Sequence, residues 1–190
     1  ADPEGLLQRI VQARVAGQVL LQHRLGSGGA FGRWARSAGS GDGSTLTAGR
    51  IDGDYNVLVF GLDHGNWTSQ AAIPATETRD VTSHALSADG NILAIGRDHA
   101  ATAAGATGVV DIYERNLGSW SRTGQLVAPN AGELDGFGWS VAIAEDGQTI
   151  AVGAAFEDSD ATGINGSQGD GSPDSGAVYV FARNGAAWDQ

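Results

Sequence analysis

The chain contains neither cysteine nor methionine, and all 11 of its basic residues are arginine. Without cysteine there can be no disulfide and no thiol nucleophile, and the redox compartment cannot be inferred. Without methionine the sequence does not begin at an initiator, so we expect a processed form or a segment of a longer protein. No apolar run reaches the length of a membrane span, and no signal peptide is visible at the start.

Positive charge is also scarce. The net charge of −11 argues against nonspecific nucleic-acid binding. The charge is unevenly spread, because residues 1–50 carry six arginines against three acids, whereas the remainder carries five arginines against 19 acids. We expect the Arg-rich start to lie against an acidic neighbour; the alternative is a scatter of solvated charges.

Glycine is abundant and proline is rare, with 30 and 4 residues, while 41% of the chain is hydrophobic. This composition is typical of short strands joined by many turns around a real core. The dipeptide Asp-Gly precedes three matching apolar segments, at Asp42, Asp89 and Asp146. A further apolar segment then leads, at constant spacing, to Trp67, Trp120 and Trp188. Because three such coincidences are improbable, the sequence contains an internal repeat.

Each repeat unit alternates apolar and polar residues with the period of a strand, which predicts a four-stranded antiparallel meander of the size of a propeller blade. We therefore predict an all-β fold, a β-propeller with about three blades and a partial one. A β-helix or an immunoglobulin-like sandwich does not easily explain the tryptophan spacing. The predicted units are 26–75, 76–130 and 131–190, the last with an incomplete final strand. Residues 1–25 are read as outer strands of a partial blade or as an N-terminal helix, and strands are preferred.

The third unit resembles the FG-GAP repeat, which builds the β-propeller of integrin α subunits. The matching residues are Phe137 and Gly138, residues 140–142, Asp146 and Gly147, residues 150–154 and residues 176–181. The second unit has Val81 and Thr82 in place of Phe-Gly, whereas the first keeps Phe31 and Gly32 and carries a two-residue insertion before its Asp-Gly. The resemblance covers roughly residues 17–190.

Three units are fewer than the about 4–8 blades of closed propellers. We therefore expect the chain to be part of a larger ring, completed by further blades or by another chain. The first and third units should each present one uncovered apolar face. Protein partners or the remaining blades of the propeller would cover these faces.

Acidic residues are concentrated in the longest predicted loop, between residues 153 and 178, and in the crossover that carries Glu133 and Asp135. We expect these two segments to share one edge of the blade. Ca²⁺ prefers several oxygen ligands from one loop, and integrin-type repeats hold Ca²⁺ in loops of this form. The candidate ligands of the third unit are Asp158, Asp160, Asp170 and Asp174. The candidate ligands of the first unit are Asp52, Asp54 and Asn56.

The first loop is the poorer candidate, because Phe60 stands where such a loop usually supplies its last carboxylate. For both loops the alternative is a solvated acidic loop. No other cofactor is expected.

No catalytic set is visible, since the four histidines lie in different contexts and His84 aligns with an inward-facing strand position. We therefore expect a non-catalytic module for protein or ligand recognition or adhesion, extracellular or at a cell surface. The alternative is a structural accessory subunit at the periphery of a large assembly. A membrane span and a nucleic-acid partner are not expected.

Overall fold

The computed structural model describes residues 11–15, 18–22, 34–50, 55–74, 81–103, 105–166 and 169–190; for 11–15, 18–22, 34–36, 50, 55 and 56 only the backbone is described. The described residues form strands and turns and no helix. The strands are β1 (Val11–Val15), β2 (Gln18–Gln22), β3 (Trp34–Gly39), β4 (Thr45–Arg50), β5 (Tyr55–Asp63), β6 (Asn66–Pro74), β7 (Ser83–Leu86), β8 (Ile92–Arg97), β9 (Val109–Asn116), β10 (Ser119–Leu126), β11 (Phe137–Ile143), β12 (Thr149–Ala154), β13 (Ala177–Asn184) and β14 (Ala187–Asp189).

Strands β3 to β14 form three antiparallel sheets of four strands each, and in each sheet the strands are neighbours in chain order. We call β3–β6 the first sheet, β7–β10 the second sheet and β11–β14 the third sheet. This arrangement of consecutive meanders is that of propeller blades, so the predicted fold class is confirmed. Strands β1 and β2 pair as a separate antiparallel hairpin. The predicted unit boundaries themselves remain predictions.

The Asp-Gly turns between the first two strands of each sheet have one geometry. Gly43, Gly90 and Gly147 have φ values of 70°, 70° and 66°, in the left-handed region that suits glycine. In the first turn, Oδ1 of Asp42 accepts hydrogen bonds from the Ser40 hydroxyl at 2.6 Å and from the Ser44 amide at 2.9 Å. These hydrogen bonds, that of Ser40 first, lower the pKa of Asp42 to about 2.

The second sheet is covered on both faces. Its Leu93 and Ile95 pack with Val57 and Val59 of the first sheet in one hydrophobic cluster. Residues of its opposite face pack with the third sheet in a second cluster, whose fully buried members include Ala94, Val110, Ile112, Phe137, Ile150 and Val152. Most of the buried hydrophobic residues therefore lie in the two spaces between neighbouring sheets, where apolar side chains are removed from water.

Each repeat tryptophan is the second residue of the last strand of its sheet, and each packs against a different hydrophobic cluster. Trp120 pairs across the strands with Arg115, and Trp188 pairs in the same way with Arg183. The guanidinium of each arginine lies over its partner's ring, at 5.6 and 5.7 Å from the ring centroid. In two of the three units the constant spacing therefore reflects the same cross-strand Arg–Trp pair, whereas Trp67 pairs with Leu62 in the first sheet.

The two end units differ from each other, contrary to the sequence-based expectation of one uncovered face on each. In the first sheet, the face that points away from the second sheet carries Leu46, Ala48 and Phe60, and all three are buried. In the third sheet, the face that points away from the second sheet is exposed, as described below. The expectation is thus wrong for the first unit. Within the described part of the chain, no helix has the length and hydrophobicity needed to cross a membrane.

Candidate functional site

Glu157 anchors the long loop between β12 and β13, residues 155–176, which we call the acidic loop. Its side chain is buried, and its two carboxylate oxygens accept hydrogen bonds from Asn130 Nδ2 at 2.7 Å and from the Ser159 amide at 2.9 Å. Tyr179 donates its hydroxyl to Asn130 Oδ1 at 2.8 Å. Burial, and then the nearby charge of Glu157, raise the pKa of Tyr179 to about 12. The loop is therefore tied to the core at its start.

Backbone hydrogen bonds then fold the acidic loop back on itself. The amides of Ser172 and Asp174 donate to the carbonyl and the carboxylate of Asp158, at 2.9 and 2.8 Å. The amide of Asp160 donates to the carbonyl of Gly169 at 3.1 Å. Asp158 and Asp174 are thus brought together. Asp160 lies next to Gly169 and Gly171, the two residues that flank Asp170.

Asp135 brings the crossover before β11 to this loop. It is buried, accepts a hydrogen bond from the Gly132 amide at 2.6 Å, and its carbonyl accepts one from the Phe156 amide at 3.0 Å. Burial raises the pKa of Asp135, and the charges of Asp158 and Asp170 raise it further. The expected acidic edge is therefore present, and it is built from both segments.

The predicted Ca²⁺ ligands can be compared with this geometry. Among the described residues no three acidic or histidine side chains converge as a metal site. One carboxylate oxygen of Asp158 is already held by a backbone amide, and both oxygens of the buried Glu157 are satisfied within the chain. The candidate ligands Asp158, Asp160, Asp170 and Asp174 of the third unit therefore remain predictions.

Calcium binding by the acidic loop stays a prediction that melting curves can check. A rise in Tm with added Ca²⁺, reversed by chelator and reduced in Asp160→Asn, would support it, because a ligand that binds only the native state stabilises that state. Identical curves with Ca²⁺ and with chelator would leave a solvated loop. For the first loop, Asp52 and Asp54 lie outside the described residues, and only the backbone of Asn56, in β5, is described.

The outer face of the third sheet, which points away from the second sheet, is apolar and open. Val178 and Val180 are 71% and 52% exposed, and Trp139 is 41% exposed. The residues that occupy the same repeat positions as these two valines in the second sheet, Val110 and Ile112, are 0% exposed. The open face thus repeats a surface that a neighbouring sheet covers elsewhere in the chain, as expected for the third unit.

A groove of about 340 Å³ crosses one end of this outer face. At its border the rings of Trp139 and Phe156 meet edge to face, with centroids 5.3 Å apart. Its walls come from the ends of β11, β12 and β13, and they consist of Trp139, Ser140, Gly153, Ala154, Ala155, Gly176, Ala177 and Val178. This groove was not predicted from the sequence, although two glycines and a serine at repeated positions are visible there.

The contacts of one histidine and one buried acid of the second sheet involve a threonine hydroxyl. Thr82 donates its hydroxyl to Oδ1 of Asp98, and Nδ1 of His99 lies 3.0 Å from that same oxygen. The hydroxyl proton of Thr82 is thus directed to the Asp98 carboxylate. His84 is buried in β7, as its aligned position predicts, and His23 lies outside the described residues.

Asp111 is the other buried acid with a dense set of partners. Its carboxylate accepts hydrogen bonds from Arg97 Nε at 2.9 Å, Arg122 Nε at 2.8 Å and Gln125 Nε2 at 3.0 Å. Since two guanidinium groups neutralise one carboxylate that is 2% exposed, this network has the character of a structural ion pair inside the second sheet.

Comparison with known proteins agrees with this architecture. Residues 120–181 match the family model of the FG-GAP repeat. No sequence among the curated proteins matches the chain significantly. Crystal structures of a "putative 6-phosphogluconolactonase" from Bacteroides fragilis and one from Bacteroides uniformis have TM-scores of 0.52 and 0.56 at 16% identity and cover 82% and 94% of this chain.

A complex of KlAtg21 with the coiled coil of AgAtg16 has a TM-score of 0.51 at 12% identity over 77% of this chain. The chain spans only 37–45% of the length of these three structures. Identities this low show a likeness of fold alone. The repeat match and the three consecutive four-stranded sheets together show that residues 120–181 of this propeller-like chain carry an FG-GAP repeat, as the sequence resemblance predicts.

Proposed function

We propose that this chain is a non-catalytic β-propeller module for recognition of a protein partner, acting in adhesion at a cell surface or outside the cell. The observation that carries the proposal is the outer face of the third sheet. Val178 and Val180 expose apolar surface that their counterparts in the second sheet bury completely. Soluble proteins rarely leave a contiguous apolar face without a partner, so this face is a contact surface.

The state of the ionisable side chains supports a non-catalytic role. The buried carboxylates of Asp111 and Glu157 are held by partners inside the chain, and the Thr82 hydroxyl is bonded to Asp98. These groups stabilise sheets and loops, whereas a catalytic site would aim some of them at a cleft. The apolar groove next to Trp139 contains one hydroxyl, that of Ser140, and no charged side chain.

A second candidate is a structural accessory subunit at the periphery of a large assembly. The same uncovered face supports it, because a blade that is open on one side can be completed by a fixed neighbour as well as by a reversible ligand. The two proposals differ in the partner. A recognition module meets a separable protein at the cell surface, whereas a subunit meets one chain at fixed stoichiometry.

Site-specific photocrosslinking in the cells that produce the protein tests the proposal. A photoreactive residue at Val180 should crosslink a surface protein in intact cells. The same residue at Leu117, which is fully exposed in the β9–β10 turn, is the matched control and should not. Crosslinks of equal yield at both positions, or none at Val180, would contradict a recognition role for this face. Crosslinks to a single intracellular chain at fixed stoichiometry would favour the accessory subunit.

A further inference from the structure

The interface between the second and third sheets contains a specific seat for a Phe-Gly dipeptide. Phe137 and Gly138, at the start of β11, lie against Gly96 and Gly108 so closely that a Cβ on either glycine would come within 2.1 Å of a carbonyl oxygen of the dipeptide. Ser83 Oγ donates a hydrogen bond to the Gly138 carbonyl at 2.7 Å. One serine and two glycines thus receive the dipeptide backbone, and we call this set the seat of the second sheet.

The third sheet carries a second copy of this seat, formed by Ser140, Gly153 and Gly176. Ser83 pairs with Gly96 across β7 and β8, and Ser140 pairs with Gly153 across β11 and β12. A Cβ on Gly96 would lie 2.4 Å from Ser83 Oγ, and one on Gly153 would lie 2.4 Å from Ser140 Oγ. The local geometry of the two seats is therefore the same.

The third residue of each seat also agrees. Gly108 and Gly176 each immediately precede the third strand of their sheet, and their φ values are 90° and 76°. Both glycines therefore keep the left-handed conformation that leaves the dipeptide backbone room to approach.

The seat of the third sheet opens into the groove on its outer face. Ser140, Gly153 and Gly176 all line that groove. Ser140 is exposed, whereas Ser83 is buried beneath the dipeptide that it binds. In the described chain the Ser140 hydroxyl and the two glycines of the third sheet thus face solvent. They have the arrangement that, in the second sheet, receives the Phe137–Gly138 dipeptide.

The first sheet indicates that the seat residues of one sheet and the dipeptide of the following unit occur together or are absent together. At its equivalent positions the sequence has Arg36, which pairs with Gly49, and Tyr55 in place of the second glycine. The second unit, which packs on the first sheet, has no Phe-Gly before its Ser83. Where the Ser-Gly-Gly set is absent, Phe-Gly is absent too. The intact set on the third sheet therefore specifies Phe-Gly, not merely any apolar strand.

We propose that the groove on the third sheet is a docking site for a protein segment in which phenylalanine is followed by a left-handed glycine at the start of a strand. In this complex Ser140 Oγ donates to the glycine carbonyl, as Ser83 does to Gly138. The phenylalanine amide donates to the Ser175 carbonyl, as the Phe137 amide donates to Thr107 at 3.1 Å. This inference rests on the proposed function, since it names the chemistry of the partner that covers the outer face.

Glycine is required in the second position of the docked segment. Gly138 has a φ of 94°, and a Cβ there would lie 2.8 Å from the Val109 carbonyl oxygen. The corresponding carbonyl on the third sheet belongs to Ala177. A segment with valine in place of that glycine would have both a strained backbone and a clash with the seat. Selectivity for glycine is therefore the signature of this site.

A fluorescently labelled peptide with the sequence of residues 134–142 is the probe, and its anisotropy is followed as the full chain is added. We expect saturable binding at millimolar or lower chain concentrations. Gly153→Val, which fills the seat, should weaken binding at least about tenfold. Ser140→Ala removes only the donor and should also weaken it, even if the valine variant folds poorly. Gly39→Val, an exposed glycine of β3 remote from the groove, should bind as the parent chain does.

A matched peptide with Gly138→Val provides the decisive comparison, and it should not bind. Equal binding of the two peptides, absence of saturable binding to the parent chain, or unchanged affinity in both Gly153→Val and Ser140→Ala would overturn the inference. Self-association of the chain that buries Trp139 but does not yield to the Phe-Gly peptide would overturn it as well. A Val180 crosslink that the peptide does not reduce refutes the Phe-Gly site alone, whereas peptide binding without a crosslink refutes the proposed function alone.

Discussion

Glu157 shows how a single acidic residue can have a role that its neighbours in the sequence do not suggest. It is one of five acidic residues in the acidic loop, yet it is 1% exposed and has a donor for each carboxylate oxygen. In Glu157→Gln the amide nitrogen would face a second donor, which leaves a buried group unsatisfied. We expect the free energy of unfolding to fall by about 1–3 kcal/mol in denaturant titration. Glu133→Gln, an exposed acid nearby, is the control; equal losses would mean that Glu157 is not an anchor.

Asp135 predicts how stability should depend on pH at the acidic edge. Its folded-state pKa lies above the ordinary value of 3.8, through burial and then through Asp158 and Asp170. Between pH 3.8 and the raised folded-state pKa, the folded chain therefore binds more protons than the unfolded chain. The contribution of Asp135 to stability falls as the pH rises through this range. Asp135→Asn should raise Tm at neutral pH, and the gain should vanish as the pH falls below 3.8. The same gain in Tm at both pH values would contradict the attribution to the raised pKa of Asp135. So would an equal gain in Glu145→Gln, which removes an acid from an exposed turn.

These residues explain why the sequence predicted the acidic edge but not its chemistry. The spacing of Asp158 and Asp160 is that of a cation-binding loop, and spacing alone cannot show that the Asp174 amide occupies an oxygen of Asp158. Nor can it show that Glu157 turns inward toward Asn130, which belongs to the preceding crossover. Both facts depend on how two distant segments meet, and periodicity along one segment contains no such information.

Strands were more predictable than loops, because each strand is determined by residues close to it in the sequence. The Asp-Gly turns and the constant distance to the tryptophans placed the second to fourth strands of every sheet. The bulges, such as the register shift between Phe137 and Ser140, could not be predicted, since they arise where the Phe-Gly dipeptide contacts the previous sheet. The close approach of neighbouring blades is thus an interaction between elements that only the structure reveals.

Two equivalent glycines test this interaction between elements. A Cβ on Gly96 would lie 2.1 Å from the Gly138 carbonyl oxygen, a backbone atom of the next sheet. The first obstacle to a Cβ on Gly153 is the side chain of Ser140, which can rotate toward solvent. We expect Gly96→Ala to cost about 1–3 kcal/mol or more in unfolding free energy, as overpacked interiors do. Gly153→Ala should cost clearly less. Equal costs for the two substitutions would contradict the close approach of the third sheet to Gly96, since that contact is what distinguishes the two glycines.

At the scale of the whole molecule, the repeat produces two interfaces between neighbouring sheets and leaves one face open. The second and third sheets each use one face to cover the preceding sheet, and the third sheet leaves its other face to solvent. The chain spans 37–45% of the length of the solved structures with the same fold. A repeat architecture therefore explains both the stability of the second sheet and the availability of the third for a partner, since each blade depends mainly on its neighbours.

A pair of equivalent substitutions measures this central claim most directly. Ile112 and Val180 hold the same repeat position, and they are 0% and 52% exposed. Urea unfolding of the isolated chain should show that Ile112→Asp loses cooperative folding or several kcal/mol, because an unpaired charge is buried between sheets. Val180→Asp should change the free energy of unfolding by no more than about 0.5 kcal/mol. Comparable losses for the two variants would contradict the account, since the outer face of the third sheet would then be buried like that of the second.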